Sequence, residues 1–372
     1  MKKPVTMKVV AEKAGVTQAT VSMSLAHSPR IPVATRQRIQ RLARQLGYRP
    51  NPYVATLMRS RRLGRAHADR PIIALINCYD TLTGWRETDS ATVRQMLTGA
   101  IECAQDRGYR VEEFWLHQDG MTAGRFSEML FTRSIQGVLL GPLAIGASIP
   151  KLTWDYFAPV RLGVPLPDST LTSVCNDHFS SCIQVIRSCR HLGYLRPGLV
   201  LLEAHLTRFQ GRWDGGLMVT ERLLPGTEPV KPLLLKTWTD FAPLKGWLQQ
   251  ERPDVIITPT PGAVQNHLRG LGCQVPQDLG LASLACAQLG DPTSGIFQNG
   301  HLIGATGIDM VIGLLERNER GLPTQTRTVM IEGVWNPGKT LRPLVSPAGP
   351  GHRLRVRGKR KLHQRMPAAK GD

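Results

Sequence analysis

Through residue 46 the apolar positions recur at helical spacing. Val9, Val10 and Ala14 fall on one face of a first short helix, Val21 and Leu25 on one face of a second, and Gly15 breaks the two apart. Thr17 stands where its hydroxyl can cap the second helix by accepting an otherwise unpaired backbone N–H. Ile39, Leu42, Ala43 and Leu46 recur at i, i+3, i+4 and i+7 and predict a third helix over about 33–46, with Gly47 just past its end. Its opposite face carries Arg36, Arg38, Arg41 and Arg44. A short segment over 52–59 has Pro52 in its first turn, and the basic, aperiodic stretch 59–70 reads as a linker. From Pro71 the pattern changes to short apolar runs alternating with amphipathic stretches. Candidate strands cover 72–76, 137–140, 198–202, 255–258 and 279–283, and helix-like stretches cover about 91–107, 178–192, 241–251 and 262–271. Strands alternating with helices predict an α/β body with parallel sheets, whose ligands sit at the carboxyl ends of the strands. About 270 residues are enough for two similar lobes. After Leu344 the chain turns to Pro, Gly and basic residues, as a disordered tail does.

Charge divides the chain in the same places. Of the net +19, residues 1–70 hold +13, with 15 Lys and Arg against Glu12 and Asp69; residues 347–372 hold +7, which leaves −1 for the middle. Two basic ends on a neutral body suit a chain whose ends meet a polyanion; a solvated basic face is the plainer alternative. No run reaches the roughly 18 apolar residues of a membrane span. No apolar stretch follows the charged start Met1-Lys2-Lys3-Pro4, so the sequence predicts no secretory leader. The seven cysteines, scattered from 78 to 286, read as reduced thiols in a cytoplasmic protein rather than a disulfide framework.

Two motifs suggest other chemistry. Residues 333–340, Gly-Val-Trp-Asn-Pro-Gly-Lys-Thr, fit the phosphate-binding P-loop pattern, but that loop needs a following helix, and Leu341-Arg342-Pro343 gives none. Cys175, Cys182 and Cys189 recur every seven residues near His178 and His191; zinc ligands come in tighter pairs, so buried small hydrophobes on a helix face fit better. The chain has no Gly-x-Ser-x-Gly elbow and no His-Glu-x-x-His, and the expectation is a protein that is not an enzyme and has no cofactor or metal.

A DNA-binding helix-turn-helix needs a small residue facing its partner helix, a turn that tolerates φ > 0 and a β-branched residue filling the gap. Ala11, Gly15 and Val21 supply these at spacings of four and six. The run Val9-Val10-Ala11-Glu12-Lys13-Ala14-Gly15-Val16-Thr17-Gln18-Ala19-Thr20-Val21-Ser22 resembles the head of the LacI/GalR (lactose-repressor) family, and the likeness continues through Thr35-Arg36 and Leu46-Gly47-Tyr48-Arg49-Pro50-Asn51 to Leu57. The resemblance implies a three-helix head over 1–51, a hinge helix and linker over 52–70, a two-lobed periplasmic-binding-protein-like body over 71–344 that binds effector and dimerises, and a basic tail over 345–372. It implies a cytoplasmic dimeric repressor on a near-palindromic operator. Gln18, Ala19, Ser22 and Met23 would then face base edges, and Thr35, Tyr48 and Asn51 the DNA backbone. Met7, Lys8 and Arg30 join the DNA-contacting set, and Val54 and Leu57 belong to the hinge, with Leu57 a wedge in the minor groove. Most relatives carry Arg where this chain has Met23. Arg can clasp guanine in a bidentate contact and Met cannot, so the expected operator is not the family's usual one.

In the body the resemblance is looser and rests on Asp177, Arg212, Val275-Pro276-Gln277-Asp278 and Gln298. It implies effector contacts from Asp177, Arg212 and Gln298, with Arg208 a rival to Arg212. The usual Asn-Asp after the 255–258 strand reads Thr260-Pro261, and the usual Gly-aromatic-Asp-Asp reads Ser283-Leu284-Ala285-Cys286. Losing those carboxylates removes acceptors that hold sugar hydroxyls, which predicts an effector other than an ordinary sugar or a degenerate site. Two other readings stay open: a small-molecule-binding protein without DNA function, which the basic head argues against, and a P-loop enzyme.

Overall fold

The computed structural model describes residues 6–25, 30–46, 48, 70–118, 120–143, 147–166 and 169–344. Gly47, the 52–59 hinge segment and the tail lie outside the described residues.

Three short helices make the head: α1 (Met7–Ala14), α2 (Gln18–Leu25) and α3 (Val33–Gln45). They enclose a small core of Val10, Ala11, Ala14, Val21, Ile39 and Ala43. Val9, expected in that core, is only half-buried, whereas Ala11, the small residue expected to face the partner helix, is buried. Gly15 ends α1 in the left-handed region at φ 67°, where a side chain is disfavoured, and the Val16 N–H closes the turn on the Ala11 carbonyl at 3.1 Å. The hydroxyl of Thr17 accepts the Thr20 N–H at 3.2 Å, as the capping argument requires.

The body is two parallel sheets, each of six strands. The first, in the order β11-β5-β4-β3-β1-β2, contains β1 (Ile72–Asn77), β2 (Arg110–Trp115), β3 (Gly137–Leu140), β4 (Ala158–Leu162), β5 (Thr172–Asn176) and β11 (Thr328–Ile331). The second, in the order β12-β10-β9-β8-β6-β7, contains β6 (Pro197–Leu202), β7 (Leu233–Leu235), β8 (Val255–Thr258), β9 (Gly280–Cys286), β10 (Gly295–Phe297) and β12 (Val334–Asn336). Every pairing is parallel except β10 with β12.

Each sheet is buried on both faces by helices. After the short α4 (Gly84–Glu87), helix α5 (Ala91–Asp106) joins α12 (Gly300–Glu316) over Leu75, Leu139 and Val160 of the first lobe. Helix α6 (Ala123–Thr132) covers Ile76, Val138 and Leu140 on the other face. In the second lobe α7 (His178–His191) and α9 (Arg212–Leu223) cover Leu199, Ile257 and Ala282. Helices α10 (Ala242–Glu251) and α11 (Pro261–Gly270) cover Val200, Ile256 and Leu281. A one-turn-and-a-half helix, α8 (Glu203–Arg208), follows β6. Both lobes therefore have the layered, doubly wound build expected of alternating strands and helices.

The chain passes between the lobes three times: after β5, after β10, and from β11 to β12. The Ile331 carbonyl ties two of the crossings together, accepting from the Asp177 backbone N–H and from Asn176 Nδ2, both at 2.9 Å. Asn176 Oδ1 in turn accepts from the Ser181 hydroxyl at 2.9 Å.

Helices α5 and α12 meet backbone to backbone through Gly99, Gly300 and Gly304. A Cβ on buried Gly304 would press into the Met96 carbonyl and lie 2.9 Å from the Ala100 nitrogen, with no side chain able to yield. Gly304→Ala is expected to destabilise the chain by about 1–3 kcal/mol through overpacking. Urea unfolding should show a lowered midpoint at constant slope; an unchanged midpoint would mean the helices separate without cost.

Candidate nucleic-acid interface and interlobe cleft

On α2 the inward positions are Val21 and Ser24, so the residues between them face out. Gln18 and Ala19 are exposed and Ser22 and Met23 half-buried, four residues on one helix face. Gln40 on α3 donates to the Ser24 carbonyl at 2.8 Å, and Arg38 donates to the Ala14 carbonyl at 3.1 Å, so two α3 side chains lock α2 and α1 in place. The three helices carry Lys8, Lys13, Arg36, Arg38, Arg41 and Arg44 against Glu12 alone, so the head's field is positive.

The remaining head residues divide by burial. Lys8 and Arg30 are exposed, and Thr35 is half-buried in the first turn of α3. Met7 and Tyr48 are half-buried and pack against the head core, and burial raises the Tyr48 phenol above its ordinary pKa. Asn51, Val54 and Leu57 lie outside the described residues.

In the body, the carboxyl ends of the two parallel sheets meet across a cleft. Gln95 on α5 donates to the Ala287 carbonyl at 2.7 Å, and Gln210 donates to the Pro165 carbonyl at 2.8 Å, both from one lobe to the other. Asp177 caps α7: one carboxylate oxygen accepts the Ser180 N–H at 3.0 Å, and the other accepts the Ser180 hydroxyl at 2.7 Å. Arg212 begins α9; its Nη1 lies 3.3 Å from the Met330 sulfur, and its Nε is buried without a hydrogen-bond partner. Gln298 is buried and donates to the Leu284 carbonyl at 2.9 Å, which fixes the β10 crossing to β9. The geometry thus brings Asp177 and Arg212 to the cleft and turns the amide nitrogen of Gln298 into the second lobe.

Several cleft residues were not singled out from sequence. Arg161, in the middle of the apolar run Ala158-Pro159-Val160-Arg161-Leu162, is 3% exposed, and a charge inside a buried strand was the available signal. Arg208, named as a rival to Arg212, stands near it, and Arg208 works against the burial that raises the Tyr79 phenol of the first lobe. An aromatic cluster adjoins these arginines: Phe209 and Trp213 ring centres are 4.3 Å apart, His178 lies 4.5 Å from Phe209, and His205 lies 6.0 Å from Trp238. Burial first, then the neighbouring arginines, holds His178 down to about 3 and His205 to about 4, so both imidazoles are neutral at physiological pH.

The two competing motifs resolve structurally. In the P-loop-like run, Thr340 accepts the Ser294 N–H at 2.9 Å and donates to the Leu281 carbonyl at 2.6 Å, and no helix follows it among the described residues. Cys182 and Cys189 are buried on α7, as small hydrophobes are, whereas Cys175 lies on β5 rather than on the helix. A cavity of about 320 Å³ near Thr172, Asp309 and Arg327 lies at the amino ends of β5 and β11, the wrong end of the strands for a ligand site of this fold.

Residues 6–51 match the family model described as "Bacterial regulatory proteins, lacI family". The HTH-type transcriptional repressor CytR of Escherichia coli (strain K12) is 25% identical over 204 residues, 52% of this chain and 53% of that protein. The chain thus spans about half the length of the curated relatives it matches. Among solved structures, a transcriptional regulator CelR–cellobiose complex has a TM-score of 0.55 at 19% identity, over 90% of this chain and 99% of that one. The lac repressor dimer bound to operator and the anti-inducer ONPF has a TM-score of 0.51 at 16% identity, over 91% and 100%. These likenesses extend the two-lobed fold over the body, and the head, residues 6–51, is the part of the chain that matches the LacI family model.

Proposed function

We propose that this protein is a cytoplasmic, dimeric, operator-specific transcriptional repressor whose DNA affinity is set by a small effector bound between the lobes. The observation that carries the reading is the outward face of α2, where Gln18, Ala19, Ser22 and Met23 stand on a capped helix in a head of one acidic and six basic helical residues. Such a helix enters the major groove with those side chains against base edges, while the surrounding Lys and Arg neutralise phosphates. Thr35, Tyr48 and Asn51 contact the DNA backbone, Met7, Lys8 and Arg30 join the DNA-contacting set, and Val54 and Leu57 act from the hinge. The head takes 1–51, the hinge and linker 52–70, the body 71–344 and a basic tail 345–372. Asp177, Arg212 and Gln298 form the effector set. The lac repressor, solved as a dimer on its operator, and CelR, solved with cellobiose, are the precedents for dimer, operator and ligand.

If head and hinge neutralise roughly 6–10 phosphates per dimer, operator affinity is expected to fall about 10³–10⁵-fold between roughly 50 and 200 mM salt. A nearly flat plot of log affinity against log salt would contradict the interface.

Met23→Arg is expected to move the preferred half-site toward guanine at one position, with discrimination of about 1–3 kcal/mol. Selection from random DNA with both proteins measures this; identical selected sites would place Met23 away from the bases.

Leu57→Ala is expected to cost operator affinity and DNA bending while leaving the thermal midpoint unchanged, because a minor-groove wedge acts only on DNA. Loss of about 2–5 kcal/mol of stability with bending intact would make Leu57 a core residue instead.

A further inference from the structure

Three arginines converge on the interlobe cleft with little to balance them. Arg161 lies at the carboxyl end of β4, in the first lobe, 3% exposed. One Nη donates to the Val164 carbonyl, while Nε and the other Nη are buried with no hydrogen-bond partner. Arg208 and Arg212 come from the second lobe, at the end of α8 and the start of α9, and Arg212 Nε is also buried and unpartnered. Among the described residues no carboxylate lies within 4.0 Å of any of the three. Nearby Asp177 has both oxygens engaged by Ser180. At the strand ends, Thr260-Pro261 and Ala285-Cys286 contribute no negative charge.

We propose that the cleft binds a small ring-bearing anion, a phosphate monoester or a carboxylate, clasped between Arg161 of one lobe and Arg208 and Arg212 of the other. A buried guanidinium with two idle donors is among the costliest groups a fold can hold, and an oxyanion supplies both the missing acceptors and the missing charge. The protein's own neighbours do not supply them. The thiols of Cys78 and Cys175 are raised to about 12 and about 11 by burial, so they remain neutral beside Arg161. Arg161 itself is held down to about 10, by burial foremost and by Arg208 in addition. Neutral His178 and His205 add no charge; His178 and Trp213 are buried, and the half-buried rings of His205, Phe209 and Trp238, tilted against this pair, offer aromatic surface to the ring of the ligand. Because the arginines come from both lobes, they repel across the cleft when it is unliganded, and an anion between them favours closure. This inference rests on the cleft being the effector site.

The test is a titration of the full chain with inorganic phosphate, glucose 6-phosphate, adenosine monophosphate and benzoate, each organic anion beside its neutral counterpart: glucose, adenosine and benzamide. At least one anion should raise the thermal midpoint and bind by calorimetry where its neutral counterpart does not, and the binding member distinguishes a phosphate from a carboxylate. Arg161→Met should weaken that anion roughly tenfold to a hundredfold, as loss of charge-assisted bonds does, and should raise the ligand-free midpoint by removing an unpaired buried charge. Arg208→Gln, half-buried, gives the same loss of affinity should the core substitution fail to fold, and it separates the cleft from anion binding by the basic head. Neutral counterparts binding as tightly, no anion binding at all, or anion affinity unchanged in the arginine variants would overturn the proposal. Operator affinity is measured separately. Anion binding without any change in it removes the effector reading and leaves the inference standing; a neutral compound that binds the cleft and changes it does the reverse.

Discussion

The Ile331 carbonyl, shared by the Asp177 backbone N–H and the Asn176 side chain, is the point on which the body depends. Two of the three interlobe crossings pass through it, and Ser181 holds Asn176 in turn, so the first turn of α7 is registered against β11. A parallel sheet puts all its loops for ligands at one end, and two such sheets form a site only if those ends face each other. Asp177 shows how closely the crossing and the site are joined. Its backbone serves the crossing, its side chain caps α7, and its position is the one the family resemblance marks for a ligand.

The cleft sets the cost of burying charge against the need to recognise something. Arg161 occupies a strand position whose neighbours, Val160 and Leu162, belong to the hydrophobic core. An aliphatic residue there would make a more stable first lobe, since a buried charge rarely repays its desolvation without a well-placed partner. The strand ends at 260–261 and 285–286 carry no carboxylate, so the cleft is rich in donors and poor in charged acceptors.

Where periodicity was strong, the sequence was legible. The strands expected at 72–76, 137–140 and 255–258 appear as β1, β3 and β8 within a residue or so, and the helices expected at 91–107 and 178–192 appear as α5 and α7. What stayed hidden was set by tertiary contacts. Helix α12 carries Gly300, Gly304, Gly307 and Gly313, which lower helix propensity; those at 300 and 304 are explained only by the backbone of α5 against them. Strand β4 is interrupted by Pro159 and Arg161, and the edge strand β2 reads Arg-Val-Glu-Glu-Phe-Trp, with charges where alternation was sought. In the head, Ala11, Gly15, Thr17 and Val21 all do what local stereochemistry asks of them. In the cleft, Arg208 was visible as a candidate, whereas Arg161 and the aromatic cluster depend on residues far apart in sequence coming together.

The glycine contact between α5 and α12 has a mechanical consequence. Side chains between helices act as compliant spacers that can change rotamer and let one helix slide on the other; here carbonyl meets Cα, and there is almost nothing to deform. Helix α12 begins two residues after Gln298, directly at a crossing, so a torque applied there is passed to α5 as by a rigid lever. Any rotation of one lobe against the other must then be absorbed in the few dihedrals of the crossing segments, as in a hinge, and not spread as shear through the first lobe.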